Sequence, residues 1–424
     1  GSLFLDIADT SDKIQIYIKS DAVSQERFNF IKDFVDIGDF FGVHGVVFRT
    51  KKGELSVLVS DFELLAKTLQ PLPSEWYGVK DTETRYRKRY LDLLINEEVK
   101  ERFKKRAHII NAIRDYLRKD NFLEIDTPVL QPIYGGANAR PFTTRYESLK
   151  RDFYLRISNE LYLKRALIGN LEKVFEFARD FRNEGIDATH NPEFTMVEIY
   201  EAYKDYGDFR ALTKNLVLAA NKAVENTELI TWGEKTIDVS GEWPTAPMGE
   251  LLIQHTGQDI LNASENKLRD YARQIGLDGL NNAPWGVLVD KVFSEKVEPH
   301  LIKPVFVIDY PLDISPLAKN HRKNAKLVER FELYIGGKEI ANGFSELNDP
   351  VEQRTRFEAQ QKNRKGGDDE AHPLDEDFLN AQEYGMPPAT GVGIGIDRLV
   401  MLLTNAQNIR EVIMFPQLKT IDDF

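Results

Sequence analysis

The sequence predicts an α+β protein: an antiparallel sheet flanked by helices, preceded by a small strand-rich domain. Three observations predict it. Residues 3 to about 70 read as short strands with one amphipathic helix. Beyond residue 95, strands and helices are segregated and do not alternate, which favours an antiparallel sheet over βαβ units. Two later segments, 194–200 and 391–395, repeat with period 2, the spacing of a strand.

The elements follow in order. Gln15 to Ile18, Phe41 to Arg49 and Leu55 to Val59 read as strands, and Phe4 sits in an earlier one. Ser24 to Val35 is amphipathic and reads as a helix. Strands plus one helix in about 70 residues suit an OB-fold, a small barrel that binds oligonucleotides. Residues 71–95 hold Pro71, Pro73 and a charged stretch with Arg85, Arg87, Lys88 and Arg89, the pattern of a linker or of a surface facing RNA. Val99, Phe103, Ala107, Ile110, Ile113 and Leu117 then mark one face of a helix ending near Asn121. Phe122 to Pro128 reads as a strand stopped by proline. From 150 to 202 the chain is strand-like, with a helix near Leu161 to Ile168. Residues 208–300 read as a helical insertion, 304–346 as strands, Lys362 to Asp377 as an exposed charged loop, and 391–405 as a strand running into a helix.

Composition narrows the classes of function. At 424 residues the chain suits two or three domains, or one large domain with an appendage. Apolar content of 42% is ample for a core. No run of ~18 apolar residues appears, so no membrane span is expected. Gly1-Ser2 reads as a cloning remnant and not as the start of a signal peptide. The absence of cysteine excludes disulfides and thiolate metal sites and fits a reducing cytoplasm. A net charge of −12 argues against indiscriminate nucleic-acid binding, but leaves room for a local basic surface. No internal repeat is evident.

Three constellations carry chemistry. The first runs Phe181-Arg182-Asn183-Glu184-Gly185 and His190 to Tyr200. Phe194, Met196, Glu198 and Tyr200 fall on one strand face, so they should enter one pocket. Arg182 sits where a strand gives way to a loop. A fixed cation beside an aromatic platform suits a nucleoside triphosphate, and nearby carboxylates suit a cationic second substrate. The second is Gly391-Val-Gly393-Ile-Gly395-Ile396-Asp397-Arg398. Glycines at period 2 leave one strand face bare, so another group can approach closely. Asp397 is placed to cap the following helix, which Arg398 opens. Ile396 stands where a dinucleotide fingerprint requires glycine.

The third constellation is Glu332 to Glu346. Gly336-Gly337 between strand-like runs predicts a two-residue hairpin turn. That register sets Glu339 opposite Tyr334 and on the face of Glu332. Two converging carboxylates suit Mg²⁺, which takes oxygen ligands and often bridges phosphates. Asn342 and Glu346 share a face with each other but, by parity, not with Glu339. One site for all four requires a bulge or bend, for example at Gly343.

The first block resembles motif 2 of the class II aminoacyl-tRNA synthetases, and the glycine run resembles their motif 3. Pro128 with the helix before it resembles motif 1, the dimer interface. Gly135-Gly-Ala-Asn-Ala-Arg-Pro-Phe142, Asn159-Glu-Leu-Tyr-Leu-Lys164 and Asn342-Gly-Phe-Ser-Glu-Leu-Asn348 make the lysyl-tRNA synthetases the closest branch. The resemblance covers nearly the whole chain. It implies that Glu160, with the backbone near Gly136, holds the α-ammonium of L-lysine. Arg182 and Asn342 face its carboxylate. Glu346 and Tyr200 bind the ε-ammonium, and Glu198 adds negative charge. For ATP it implies Arg182 on the α-phosphate, Glu184 and Phe194 on adenine, His190 near the distal phosphates and Arg398 at the γ-phosphate. Glu332 and Glu339 would hold Mg²⁺. Phe4 and Gln15 match the positions that read the anticodon of tRNA(Lys).

The implied reaction has two steps. The lysine carboxylate attacks the α-phosphate in line and pyrophosphate leaves; the 3′-terminal hydroxyl of tRNA then attacks the adenylate carbonyl. No side-chain nucleophile is needed, and Arg182 and Arg398 act by position and charge. A cytoplasmic homodimer is implied as well. The sequence departs from the family in two places. The strand that precedes the Phe4 strand in family barrels is missing, so an open barrel is expected. Asn138 stands where a small apolar residue is more usual. Competing readings are a lysine-type ligase acting on protein or a nucleotide-polyphosphate synthase, the aspartate or asparagine branch, and a non-catalytic RNA-binding paralogue. The barrel argues against the first pair. Glu198 and Glu346 would repel an acidic side chain. A dead paralogue would have lost Arg182, Arg398 or the Glu332/Glu339 pair.

Overall fold

In the computed structural model, residues 1–72, 81–225, 227–281, 283–365 and 373–419 are described. The chain forms two compact units, Gly1–Ile95 and Asn96–Phe424.

The first unit holds β1 (Ser2–Ala8), β2 (Lys13–Lys19), α1 (Gln25–Phe34), β3 (Phe40–Arg49) and β4 (Leu55–Ala66). They form one sheet in the order β1-β2-β4-β3, with β2 and β4 parallel and the other neighbours antiparallel. Strand alternation sends Ile16 and Ile18 inward, where they meet Val59, Phe62 and the α1 residues Phe28 and Ile31. Ser24 starts α1 by accepting a hydrogen bond from the Arg27 N–H. The other sheet face carries Phe4, stacked on Tyr17 with ring centroids 4.5 Å apart, and Gln15 beside them. This is the OB-type unit that the strand pattern predicts. The span read as linker differs: residues 73–80 lie outside the described residues, and 82–95 form α2 (Thr82–Arg87) and α3 (Arg89–Ile95). Here Asp92 is buried between Arg89 (2.6 Å) and Arg85 (2.8 Å), so part of the basic stretch is neutralised internally.

The second unit opens with α4 (Glu97–Lys119) and β5 (Leu123–Glu124). A three-stranded sheet follows: β6 (Leu130–Gln131), β7 (Thr143–Tyr146) and β8 (Arg151–Leu155). Then come α5 (Glu160–Ile168), β9 (Lys173–Phe181), β10 (Glu193–Ala202) and α6 (Tyr206–Val224). A hairpin, β11 (Leu229–Trp232) and β12 (Lys235–Asp238), precedes β13 (Thr245–Pro247), α7 (Met248–Thr256), α8 (Glu265–Gln274) and α9 (Trp285–Lys296). The remaining elements are β14 (Val305–Pro311), β15 (Asn320–His321), β16 (Asn324–Ile335), β17 (Lys338–Ser345), α10 (Pro350–Lys365), α11 (Glu376–Glu383), β18 (Ala389–Gly395) and α12 (Ile396–Leu403).

The large sheet runs β13-β14-β16-β17-β18-β10-β9-β5, with β15 on β16. It is antiparallel except at its two ends, where β13–β14 and β5–β9 are parallel. One core joins α4, α6 and α12 to the sheet through Ile113, Leu216, Val197, Val392 and Leu399. A second packs α7, α8 and α9 on β14 through Leu252, Leu268, Val292 and Val307. The α+β architecture is therefore the one the segregated elements predict.

Four local expectations need correction. The buried stripe of α4 is Val99, Ile109, Ile113 and Leu117, while Ala107 is exposed. In the C-terminal half the stripe follows the i, i+4, i+8 row of Ile109, Ile113 and Leu117, with Ile110 only partly buried beside it. The strand expected over 122–128 is only β5, two residues long. Within 208–300, α6 is part of the main core, and only α7 to α9 build a separate packed layer. The loop expected over 362–377 is helical in α10 up to Lys365 and again in α11, which Asp375 caps; 366–372 lie outside the described residues.

Candidate active site

The third constellation folds as its turn predicts. Gly336 and Gly337 have φ of +66° and +74°, and Ile335 pairs with Lys338 across them. Glu339 lies opposite Tyr334, while Glu332 lies opposite Asn342, because one residue, Ile340, is extra in β17. The bulge is thus at Ile340 and not at Gly343. It reverses the parity of the strand and brings Glu339 and Asn342 to the same cleft.

That cleft lies over β10, β18 and β17 and has a volume of about 450 Å³. Its wall includes Gly136, Glu160, Arg182, Glu184, His190, Phe194, Glu198, Tyr200, Glu339, Asn342 and Arg398, all drawn from the residues singled out by sequence. Glu332 and Glu346 are buried behind the wall. Phe4 and Gln15 belong to the other unit. Asn138 also lines the cleft, and nothing in its surroundings explains the departure from a small apolar residue.

The bare glycine face has a defined occupant. Met196, Glu198 and Tyr200 of β10 lie opposite Gly395, Gly393 and Gly391 of β18. A Cβ on Gly391 would lie 2.2 Å from the Tyr200 ring, and one on Gly393 would lie 2.9 Å from Met196 and 3.1 Å from Glu198 Oε1. The glycines therefore let three side chains lie flat across the neighbouring strand. Asp397 is not a helix cap, because the strand runs directly into α12 and Gly395 occupies the cap position. The Asp397 carboxylate instead accepts from Arg106 and from the Thr195 backbone N–H, both at 2.6 Å, and so fixes the edge of β10.

One end of the cleft is acidic and buried. Glu160 opens α5, and Lys164 follows one turn later on the same face. The Lys164 ammonium lies 2.5 Å from Glu160 and 2.5 Å from Glu346. Tyr200 donates to Glu198 Oε2 at 3.0 Å. Burial, with repulsion from Glu160 and Asp180, pushes the Glu198 carboxyl up to about 8. Burial also raises Glu346 well above the carboxylate range, with Lys164 opposing it and Glu160 and Glu198 adding to it. Among the described residues neither Glu346 oxygen has a partner in hydrogen-bond geometry; Oε2 is held by the ion pair with Lys164, and Oε1 has no ion pair either.

Arg182 marks the middle. It leaves the end of β9, and its guanidinium lies 5.0 Å from the Phe194 ring centroid. Arg330 lies alongside. It donates to Asn342 Oδ1 (3.1 Å), to Glu332 (2.5 Å) and to Ser315 (2.9 Å), over the ring of Tyr310. Glu332 also accepts from Tyr310 (2.8 Å) and Tyr334 (2.6 Å). Burial, with repulsion from Glu339, raises its carboxyl to about 7 against the opposing Arg330.

The far end is open. Arg398 contacts Glu339 Oε2 at 3.1 Å and His190 Nε2 at 3.0 Å. His190 Nδ1 lies 2.8 Å from Asp187. Arginine can only donate, so Nε2 accepts, and the proton of a neutral ring sits on Nδ1 facing Asp187. Glu184 is exposed on the loop between β9 and β10.

Sequence reasoning gave no role to Lys164, Arg330 or Asp290, another acid on the wall. A signal existed for two of them. Lys164 is four residues from Glu160 on a helix, and Arg330 is two residues from Glu332 on a strand.

Comparison with known proteins agrees with this geometry. A family described as tRNA synthetases class II (D, K and N) matches residues 81–419, and one described as OB-fold nucleic acid binding domain matches 1–65. A lysine–tRNA ligase of Pelotomaculum thermopropionicum is 51% identical over 98% of this chain and 83% of its own length. Lysine–tRNA ligases of Methanoculleus marisnigri (49% identical) and Carboxydothermus hydrogenoformans (48%) each match 99% of this chain, over 83% and 86% of their own lengths.

Proposed function

The chain belongs to the class II tRNA synthetases, with the lysine–tRNA ligases, and from that premise we propose how its own side chains select the substrates. It uses ATP to activate L-lysine and transfers the lysyl group to tRNA. One observation carries the assignment of the amino-acid end: Glu160, Glu198 and Glu346 converge there in burial with a single internal ammonium, Lys164. A site short of positive charge by that margin suits an amino acid bearing two ammonium groups.

Glu160, with the backbone near Gly136, takes the α-ammonium. The partnerless Oε1 of Glu346, beside Tyr200, takes the ε-ammonium, and Glu198 adds negative charge. An acidic or amide side chain would leave these carboxylates unpaired, at a cost on the order of 3–5 kcal/mol. Arg330 holds Asn342 by its carbonyl oxygen, which leaves the amide N–H groups for the substrate carboxylate. Arg182 spans that carboxylate and the α-phosphate. Holding nucleophile and electrophile together is the main work of the first step, since no side chain forms a bond to either. Phe194 stacks on adenine and Glu184 reads its edge. His190 and Arg398 receive the distal phosphates once Arg398 exchanges Glu339 for phosphate oxygen.

Mg²⁺ fits the residues present. Burial raises Glu332, Asp290 and Glu298, and repulsion from Glu339 adds to it at all three against the opposing Arg330, Lys291 and Arg398, so a divalent cation beside Glu339 would relieve crowded negative charge. Among the described residues no three or more acidic or imidazole side chains are grouped to hold a metal alone, so phosphate oxygens would complete the shell. Glu332 and Glu339 would hold the ion, which would neutralise charge on the leaving pyrophosphate.

In the OB unit, Phe4 offers a stacking surface and Gln15 an amide. Gln15 Oε1 already accepts from Ser56 at 3.0 Å, which leaves the amide N–H₂ for an anticodon base. No helix among the described residues is long and apolar enough to cross a membrane. We assign the protein to the cytoplasm and to a homodimer. Leu123, Val129 and Leu130, exposed around Pro128, support the dimer. Charging of a tRNA(Lys) transcript with labelled lysine, ATP and Mg²⁺ tests the assignment. Lysyl-tRNA should form, and stable charging with arginine or aspartate in its place would overturn it.

A further inference from the structure

Lys164 is the most completely enclosed cation near the cleft, and the two-step reaction gives it no task. It is fully buried and does not line the cavity. Its ammonium touches both carboxylates assigned to the two ends of the amino acid, at 2.5 Å each, and lies 5.3 Å from the Phe344 ring centroid. The ammonium thus donates to Glu160, pairs ionically with Glu346 and faces one aromatic ring.

We propose that Lys164 is a positioning residue for lysine recognition: it holds Glu160 and Glu346 from behind, fixes their spacing, and leaves Glu346 Oε1 turned toward the substrate. This rests on the assignment of Glu160 and Glu346 to lysine binding. Three features point to it. Glu346 Oε2 is ion-paired with Lys164 at 2.5 Å though outside hydrogen-bond geometry, while Oε1 is buried with neither kind of partner among the described residues, on the side of Gly391, a cleft residue, where an added Cβ would meet it at 2.6 Å. One carboxylate can therefore serve two ammoniums on opposite sides. The Glu160–Lys164 spacing is one helical turn, so α5 presents both side chains on one face and brings the ammonium to Glu160. Finally, two buried carboxylates this close would favour taking up protons without a cation between them. A neutral acid is a poor partner for the substrate's ammonium.

The role is to position and not to bind, so removing Lys164 should weaken lysine selectively. Lys164→Met keeps an unbranched apolar stem but removes the ammonium. It should raise the lysine KM on the order of 100-fold, with the ATP KM within about 3-fold of the original. Glu346→Gln should raise the lysine KM similarly, and the double variant should be little worse than either, because both act through one carboxylate. If Lys164→Met leaves the lysine KM within about 3-fold while Glu346→Gln raises it, the lysine site stands and the proposal for Lys164 falls. If Glu346→Gln also has no effect, the site assignment itself falls. The unaltered protein gives a second test that does not depend on a variant folding. In a crystal structure with L-lysine bound, Lys164 Nζ should remain within hydrogen-bond distance of both carboxylates. Displacement of Nζ by the substrate's ε-ammonium would overturn the proposal.

Discussion

The two ends of the cleft are built on opposite plans. At the amino-acid end Glu160, Lys164 and Glu346 are buried in a closed set of ion pairs. At the nucleotide end His190 and Glu184 are exposed, and among the described residues Arg398 is held only by Glu339 and His190. The first arrangement pays its desolvation during folding and waits with one carboxylate oxygen unpaired. The second is wet, and its contacts are those that ATP must replace. A buried, preset site discriminates by what it leaves unpaired, whereas an exposed site gains most of its order from the ligand. Selection of the amino acid therefore belongs to the fold, and organisation of the phosphates belongs to the substrate.

The largest expected effect comes from the residue that serves both ends. Arg182→Ala should lower lysine-dependent pyrophosphate exchange on the order of 10³-fold or more, by removing charge from the α-phosphate and from the lysine carboxylate together. A loss confined to the ATP KM would place Arg182 in the nucleotide end alone. Next, Gly391→Ala puts a methyl group 2.2 Å from the Tyr200 ring. It should raise the lysine KM on the order of 100-fold while nucleotide binding in the absence of lysine, measured by calorimetry, changes little. An equal loss of ATP binding would show that the ends are not independent.

The third test uses pH. Glu198, pushed up to about 8 by burial and by repulsion from Glu160 and Asp180, is mostly protonated at neutral pH in the free site. Bound lysine favours its ionised form, so lysine affinity should rise as pH approaches about 8 and then level off. The stability linkage has the opposite sign. A carboxyl with a raised folded pKa stabilises the free protein fully below its ordinary value of 4.5, and that contribution is lost as pH rises toward about 8. The melting shift produced by lysine should grow over the same interval, and Glu198→Gln should flatten it. A flat profile in the unaltered protein would remove Glu198 from lysine binding. The smallest effect on the adenylate is expected from the OB unit. Phe4→Ala should weaken tRNA(Lys) binding roughly 10-fold by loss of base stacking, and leave pyrophosphate exchange unchanged.

These ends also differ in how far the sequence reveals them. The shared face of Phe194, Glu198 and Tyr200 is legible from period-2 alternation, and the bare face of Gly391 and Gly393 from glycine spacing. What that face receives is not legible, because it depends on the register between β10 and β18. Nor is the bulge at Ile340, which decides whether Glu339 and Asn342 meet: parity along one strand cannot report an extra residue relative to its partner. Lys164 lay in a quoted motif without a role, since its second partner, Glu346, is remote in sequence. Asp397 misled because a carboxylate at the start of a helix reads as a cap, yet Arg106 of α4 and the edge of β10 both claim it. Local pattern gave the elements and faces, and long-range pairing assigned the tasks.

The central claim is that this cleft forms an adenylate with lysine and rejects the rest. Amino-acid-dependent ATP–pyrophosphate exchange across the twenty amino acids, with Mg²⁺ and without tRNA, tests it most directly. Exchange with L-lysine alone, at least about 100-fold above any other amino acid, is the predicted result. Comparable exchange with aspartate or asparagine, or none with lysine, would contradict it.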